Sequence, residues 1–158
     1  LELDKARIRL RFIGDRSAFS AELQAGMLRA EAVTAEHKRM TLVIAVNYGG
    51  QWDMAQAARR LAEQVAAGQL APEAITAAML GEQVELADEP AVDLLIRTGG
   101  ELRVSNFVLW QSAYAEYYFS DVLWPDFGHA HLHAALDDFT QRQRRFGRTS
   151  EQIEAIHA

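Results

Sequence analysis

The stretch "RTGGELRVS" places two arginines, a hydroxyl and a double glycine within one short segment. Arg97 stands where the apolar run Asp93 to Ile96, read as a buried strand, leaves the core. Gly99 and Gly100 let the backbone turn and let a ligand come close to it. Arg103 and Ser105 follow, just before the apolar run Phe107 to Trp110, which reads as the start of a helix. A helix N-terminus would add free N–H groups and partial positive charge, with Ser105 either capping it or offering its hydroxyl to a ligand. Two forked guanidiniums, a hydroxyl and such an end together suit a phosphate or diphosphate. The residues alone leave a second reading open: a glycine turn whose two arginines pair with surface carboxylates.

Other chemistry-bearing residues are less directive. Glu116 lies in "AYAEYYF", an acid among apolar neighbours. It could hold Mg2+, which takes carboxylates together with phosphate oxygens, or pair with an arginine across an interface. His129, His131 and His133 of "HAHLH" run into a helical pattern, where residues two apart do not face each other. A solvated helix start is expected there rather than a metal site. The cluster Arg142, Arg144, Arg145 and Arg148 reads as a basic helix end, or as a source of one arginine that reaches an anion. The aromatic run from Trp110 through Trp124 is most simply core, and is also rich enough for a subunit interface.

The elements that must position these residues alternate between strand and helix. "ARIRLRFIG" alternates arginine with Ile8, Leu10 and Phe12, the pattern of a strand with one solvated face near a sheet edge. Phe19, Leu23, Met27, Ala30 and Val33 recur at helical spacing, which predicts a helix over about residues 17–35, with Asp15 and Ser17 as candidate caps. "TLVIAVNYGG" reads as a buried parallel strand that stops at Asn47 to Gly50. A second helix carries Met54, Ala58, Leu61 and Val65, and Gly68 is its expected stop. Pro72 opens a short helix ending near Leu80. A polar connection from Glu82 to Pro90 leads to the arginine stretch, and a last helix is expected over about residues 131–146. Alternating strands and helices imply βαβ units and an α/β fold with a mostly parallel sheet flanked by helices. In such sheets ligands sit beyond the carboxyl ends of the strands, so "NYGG" and "RTGG" are expected on one rim.

The 158 residues suffice for one domain with a core, and no linker, repeat or low-complexity tract divides them. A hydrophobic share of 49% and a charged share of 24% are ordinary for a soluble chain. The absence of cysteine removes disulfides and thiolate metal sites. No apolar run is long enough to span a bilayer. A formal net charge of −6 gives no global pull toward nucleic acid, which is not an expected partner. The chain opens on Leu1 rather than methionine, which reads as a fragment.

The long stretch "DLLIRTGGELRVSNFVLWQSAYAEYYFSDVLWPDF" resembles the cis-prenyltransferases, and is most similar to their bacterial undecaprenyl diphosphate synthase branch. "GDRSAF", "NYGGQWDM" and "RRFG" fall in the family's order, so the likeness covers almost the whole chain. It implies the C-terminal portion of a single catalytic domain. The implied reaction adds isopentenyl diphosphate to an allylic diphosphate, farnesyl diphosphate, with Mg2+ as cofactor. The product would be undecaprenyl diphosphate, a membrane-associated carrier precursor for cell-wall synthesis. A homodimer is implied, in the cytoplasm or peripheral at the inner membrane. By the same resemblance Arg97, Arg103 and Ser105 grip the isopentenyl diphosphate. Glu116 is the acid linked to the metal. Arg145 and Gly147 form an Arg-x-Gly end motif that reaches substrate across a dimer interface. Asn47 is the asparagine of a loop near the active site.

Departures from the family's pattern are visible. Leu102 stands where many relatives carry histidine, and Gln51 where arginine is common. The family's N-terminal portion, with the glycine-bearing loop and aspartate that hold the allylic diphosphate, is expected to lie outside this chain, which would leave it inactive alone. A non-catalytic subunit of the same fold and a phosphate-ligand binding module are the alternative functions.

Overall fold

A computed structural model describes residues 2–142, which fall into two compact units. The first comprises residues 2–90 with Asn106–Trp110, and the second comprises Ala91–Ser105 with residues 111–142. The first unit carries α1 (Glu2–Lys5), β1 (Ile8–Ile13), α2 (Ala21–Thr34), β2 (Met40–Ala45), α3 (Gly50–Ala66) and α4 (Ala77–Gly81). The second carries β3 (Leu94–Arg97), β4 (Glu116–Phe119) and α5 (His129–Gln141).

Strand pairing is parallel in both units. β1 pairs with β2 from Ile8↔Met40 to Ile13↔Ala45, with α2 as the connection. The other edge of β1 is closed by side chains of α2, which is how an edge avoids stray pairing. The Leu10 amide donates to Thr34 Oγ1 at 2.9 Å, and the Phe12 amide donates to Glu31 Oε1 at 2.7 Å. Arg16 in turn donates to Glu31 Oε2 at 2.7 Å. Burial alone would raise the Glu31 carboxyl, but the Arg16 bonds outweigh it and hold the group below its usual range. β3 pairs with β4 from Leu94↔Glu116 to Arg97↔Phe119.

The helix expected over residues 17–35 begins later. A 3-10 turn, Arg16–Ala18, is capped by Asp15, and Ser20 rather than Ser17 caps α2 by accepting from the Leu23 amide at 3.3 Å. Gly68, at φ +70°, ends α3 as expected. Pro72 opens a 3-10 turn, Pro72–Ala74, and the helical turn near Leu80 is a separate element capped by Thr76. The last helix starts two residues early, at His129, and ends at Gln141. β2 is less buried than its apolar run suggests: Met40 is 50% and Ile44 39% exposed. Tyr114 and Trp124 are each 75% exposed, so the aromatic run is not mainly core. β4 within that run is a strand that the sequence pattern did not disclose.

Candidate functional site

Arg97 is the last residue of β3, and the chain turns directly after it. Gly99 at φ +83° and Gly100 at φ +74° make that turn in the left-handed region, where glycine carries no steric cost. Their amides are occupied: Gly99 N–H donates to the Val122 carbonyl at 2.9 Å and Gly100 N–H to the Ser120 carbonyl at 3.0 Å. The double glycine thus fastens the arginine loop to the segment after β4. It shapes the loop rather than offering its own donors to a ligand.

The two arginines differ. The Arg97 guanidinium donates to the Arg103 carbonyl at 3.2 Å and forms an ion pair with no carboxylate among the described residues. The Arg103 guanidinium pairs with Glu101, and its side chain is 65% exposed. The open alternative, arginines spent on surface carboxylates, therefore holds for Arg103, whereas Arg97 makes no such pair among the described residues. Leu102 lies between Glu101 and Arg103 and is 76% exposed.

The expected helix after Ser105 does not form. Ser105, Asn106 and Val108 have φ of +50°, +64° and +40°, outside the right-handed helical region, and the segment through Tyr114 is a succession of turns. Ser105 therefore caps no helix and borrows no helix dipole. The reason lies in Asn106. Its carbonyl accepts from the Gly50 amide at 2.7 Å and its side-chain oxygen from the Gln51 amide at 2.8 Å. These are first-turn donors of α3, whose own N-cap, Gly49, has no side chain to offer. Asn106 is thus a cap supplied from a distant part of the chain. Leu109 packs so closely on Gly50 that a Cβ there would lie 2.7 Å from Leu109 Cγ. No local sequence signal marks Asn106 for this task.

Asn47 follows β2 at φ +45°, is exposed, and donates its side-chain amide to the Asp15 carbonyl at 3.3 Å. The neighbouring Tyr48 hydroxyl donates to Asp53 Oδ2 at 2.8 Å, and the Glu85 amide donates to Asp53 Oδ1 at 2.8 Å. Asp53 is 1% exposed, so this carboxylate pins the start of α3 to the Glu82–Pro90 connection. Burial and the nearby Asp53 charge push the Glu85 carboxyl up.

Glu116 opens β4, and its partner is an arginine of the same chain. Arg142, the C-cap of α5, donates to Glu116 Oε2 at 3.1 Å, to the Tyr117 carbonyl at 2.9 Å and to Asp138 Oδ2 at 2.5 Å. The bond to Glu116, helped by Asp138, holds the Arg142 guanidinium above its usual range. Of the basic cluster, Arg142 therefore reaches an anion within its own unit. Arg145 and Gly147 lie outside the described residues.

Mg2+ is commonly held by one or two carboxylates with substrate phosphate oxygens completing its shell. Among the described residues no three His, Asp or Glu side chains converge as a metal cage. A cation held by protein alone does not fit here. A single carboxylate, Glu116, acting with ligand oxygens does fit, provided that it shares its charge with Arg142.

Residues 1–147 match the prenyltransferase family described as "Putative undecaprenyl diphosphate synthase". A Pseudomonas putida protein named ditrans,polycis-undecaprenyl-diphosphate synthase ((2E,6E)-farnesyl-diphosphate specific) is 62% identical over 97% of this chain and 61% of its own length. A Pseudomonas aeruginosa protein of the same name is 60% identical over 98% of this chain and 61% of its own. The chain thus spans about three fifths of these relatives. Among solved structures, lavandulyl diphosphate synthase from Lavandula x intermedia, in complex with dimethylallyl diphosphate, superposes with a TM-score of 0.83 at 39% identity. That match covers 89% of this chain and 61% of the other. A probable undecaprenyl diphosphate synthase from Campylobacter jejuni gives a TM-score of 0.81 at 31% identity, over 93% of this chain and 66% of its own. With parallel strand pairs between helices and a match over residues 1–147, this chain belongs to the undecaprenyl diphosphate synthase family of prenyltransferases.

Proposed function

We propose that this chain provides the isopentenyl diphosphate-binding part of a single cis-prenyltransferase domain, one that extends farnesyl diphosphate to undecaprenyl diphosphate. The observation that carries the reading is Arg97: a strand-end guanidinium just before a double-glycine turn, hydrogen-bonded to a carbonyl and paired with no carboxylate among the described residues. Arg103 and Ser105 follow on the same loop and would grip the same diphosphate, and Arg145 and Gly147 would reach the substrate across a dimer interface. Asn47 would act as a catalytic residue from its loop near the active site.

In this reading the protein's contribution is placement and charge. Arg97 and Arg103 would hold the second substrate so that its double bond faces the allylic carbon. Fixed donors would stabilise the diphosphate that departs as that carbon becomes cationic. Mg2+, bound to Glu116 and to substrate oxygens, would neutralise diphosphate charge. A homodimer, with the exposed aromatic segment around Tyr114 at its interface, belongs to the same proposal, as does a cytoplasmic enzyme whose product enters the membrane.

Steady-state kinetics test the assignment. A charge-assisted hydrogen bond contributes about 1.5–3 kcal/mol, so Arg97→Ala or Arg103→Ala should raise KM for isopentenyl diphosphate roughly 10- to 150-fold. KM for farnesyl diphosphate should change far less. Equal rises for both substrates would overturn the assignment, and binding of isopentenyl diphosphate with no turnover would favour a binding module instead.

A further inference from the structure

Outside the proposed site, the first turn of α5 brings two imidazoles together. His129 and His133 are four residues apart, so one turn of helix stacks them on one face. Their Nε2 atoms lie 3.2 Å apart, with ring centroids at 4.3 Å and planes inclined by 48°. Both side chains are exposed. His131 is not part of this pair. Its Nδ1 accepts from the Gly128 amide at 3.1 Å, and its ring lies 5.7 Å from that of Phe127. One of the three histidines thus closes the helix start, and the other two bring the same nitrogen to within 3.2 Å of each other.

The separation has a meaning. A metal–imidazole bond is about 2.0–2.1 Å long. Two such bonds at a right angle put their nitrogens about 2.8–3.0 Å apart, and at the tetrahedral angle about 3.3–3.4 Å. The 3.2 Å between His129 and His133 falls between these limits. Without metal, one Nε2 donates to the other. With metal, rotation of the two rings would turn both lone pairs to the ion. We propose that His129 and His133 form a two-histidine chelate for a borderline divalent cation of the Cu2+, Ni2+ or Zn2+ class.

Imidazole pairs select such ions over Mg2+, which prefers oxygen, and affinity should follow the order in which Cu2+ exceeds Ni2+ and Zn2+. No third His, Asp or Glu joins the pair to make a cage among the described residues, so water fills the other positions. A helix N-terminus is a poor place for a bare positive charge, and the two nitrogen bonds must outweigh that. The chelate spans one helical turn and so binds the folded α5 better than the unfolded chain, which links metal binding to thermal stability.

Titration of tag-free protein with CuCl2 and NiCl2, followed by calorimetry and by Cu2+ electron paramagnetic resonance, tests the proposal. The expected result is one site with two nitrogen ligands and a higher melting temperature with metal. His129→Gln and His133→Gln should each weaken affinity at least about tenfold, on the scale seen when even supporting groups of a metal site are lost. His131→Gln should retain the site, and circular dichroism of each variant confirms that α5 is intact. Equal Cu2+ affinity in wild type and in the His129→Gln/His133→Gln double variant would overturn it, as would wild-type binding no tighter than that of free imidazole.

Discussion

Replacing Asn106 by alanine removes a cap that α3 receives from a segment fifty-five residues away in sequence. Two contributions can be worked out. The side-chain oxygen that accepts from the Gln51 amide at 2.8 Å is lost, and loss of an N-terminal cap typically costs about 1 kcal/mol. Alanine must also take φ of +64°, a left-handed conformation that asparagine tolerates and that costs alanine about 1 kcal/mol more. The backbone bond from Gly50 to the Asn106 carbonyl is kept. The sum is about 2 kcal/mol, which for a chain of this size lowers Tm by roughly 4–8 °C. Thermal unfolding followed by circular dichroism reads the shift directly. Asn106→Asp keeps both the acceptor and the tolerance of positive φ, so its Tm should stay close to wild type. An unchanged Tm in Asn106→Ala, or an equal loss in both variants, would refute the capping argument.

Asp53→Ala should cost roughly 1–3 kcal/mol, because two part-buried donors, the Tyr48 hydroxyl and the Glu85 amide, lose this acceptor; urea unfolding measures it. Gly50→Ala should cost about 1–3 kcal/mol by overpacking against Leu109, and Gly50→Ala/Leu109→Ala should recover part of the loss. Glu85→Gln should raise Tm at neutral pH. Burial and Asp53 raise the Glu85 carboxyl in the folded state, so its favourable contribution exists below the unfolded value and is lost as pH rises through the folded one. The Tm difference between Glu85→Gln and wild type should therefore be widest above that range and close as pH falls toward 4; a difference independent of pH would contradict the sign.

The first half of the fold was legible because its signals are local. Period-two alternation from Ile8 to Phe12 and helical spacing from Phe19 to Val33 each carry their own evidence for β1 and α2, whatever packs on them. β4 was not legible. "EYYF" is short and without alternation, and it becomes a strand only because β3 lies beside it in register, Leu94 against Glu116. The apolar run Phe107 to Trp110 misled for the opposite reason. Its helical propensity is overridden: Ser105 and Asn106 before it and Val108 within it have positive φ, and Asn106 and Leu109 are held at the start of α3. The Glu116–Arg142 pair, twenty-six residues apart, was visible only as two alternatives because nothing in either segment names the other.

The arginines of the loop show how residue type and placement combine. From sequence, Arg97 and Arg103 are equivalent: two guanidiniums flanking a double glycine. In the structure they start from different states. Arg97 gives up only a neutral carbonyl when an anion arrives, and it leaves a strand end whose backbone is fixed by pairing with β4. Arg103 must first exchange Glu101 for the anion, and it does so from an exposed loop. An exposed ion pair is worth about 0–1 kcal/mol, so a diphosphate bound as proposed, with more charge than one carboxylate, would outcompete Glu101. Part of the gain at Arg103 is nevertheless offset by the pair it breaks and by the loop it must order. Of the two alanine variants, Arg97→Ala should therefore show the larger rise in KM for isopentenyl diphosphate. Where residue types are identical, the difference in effect comes from what each side chain has to release.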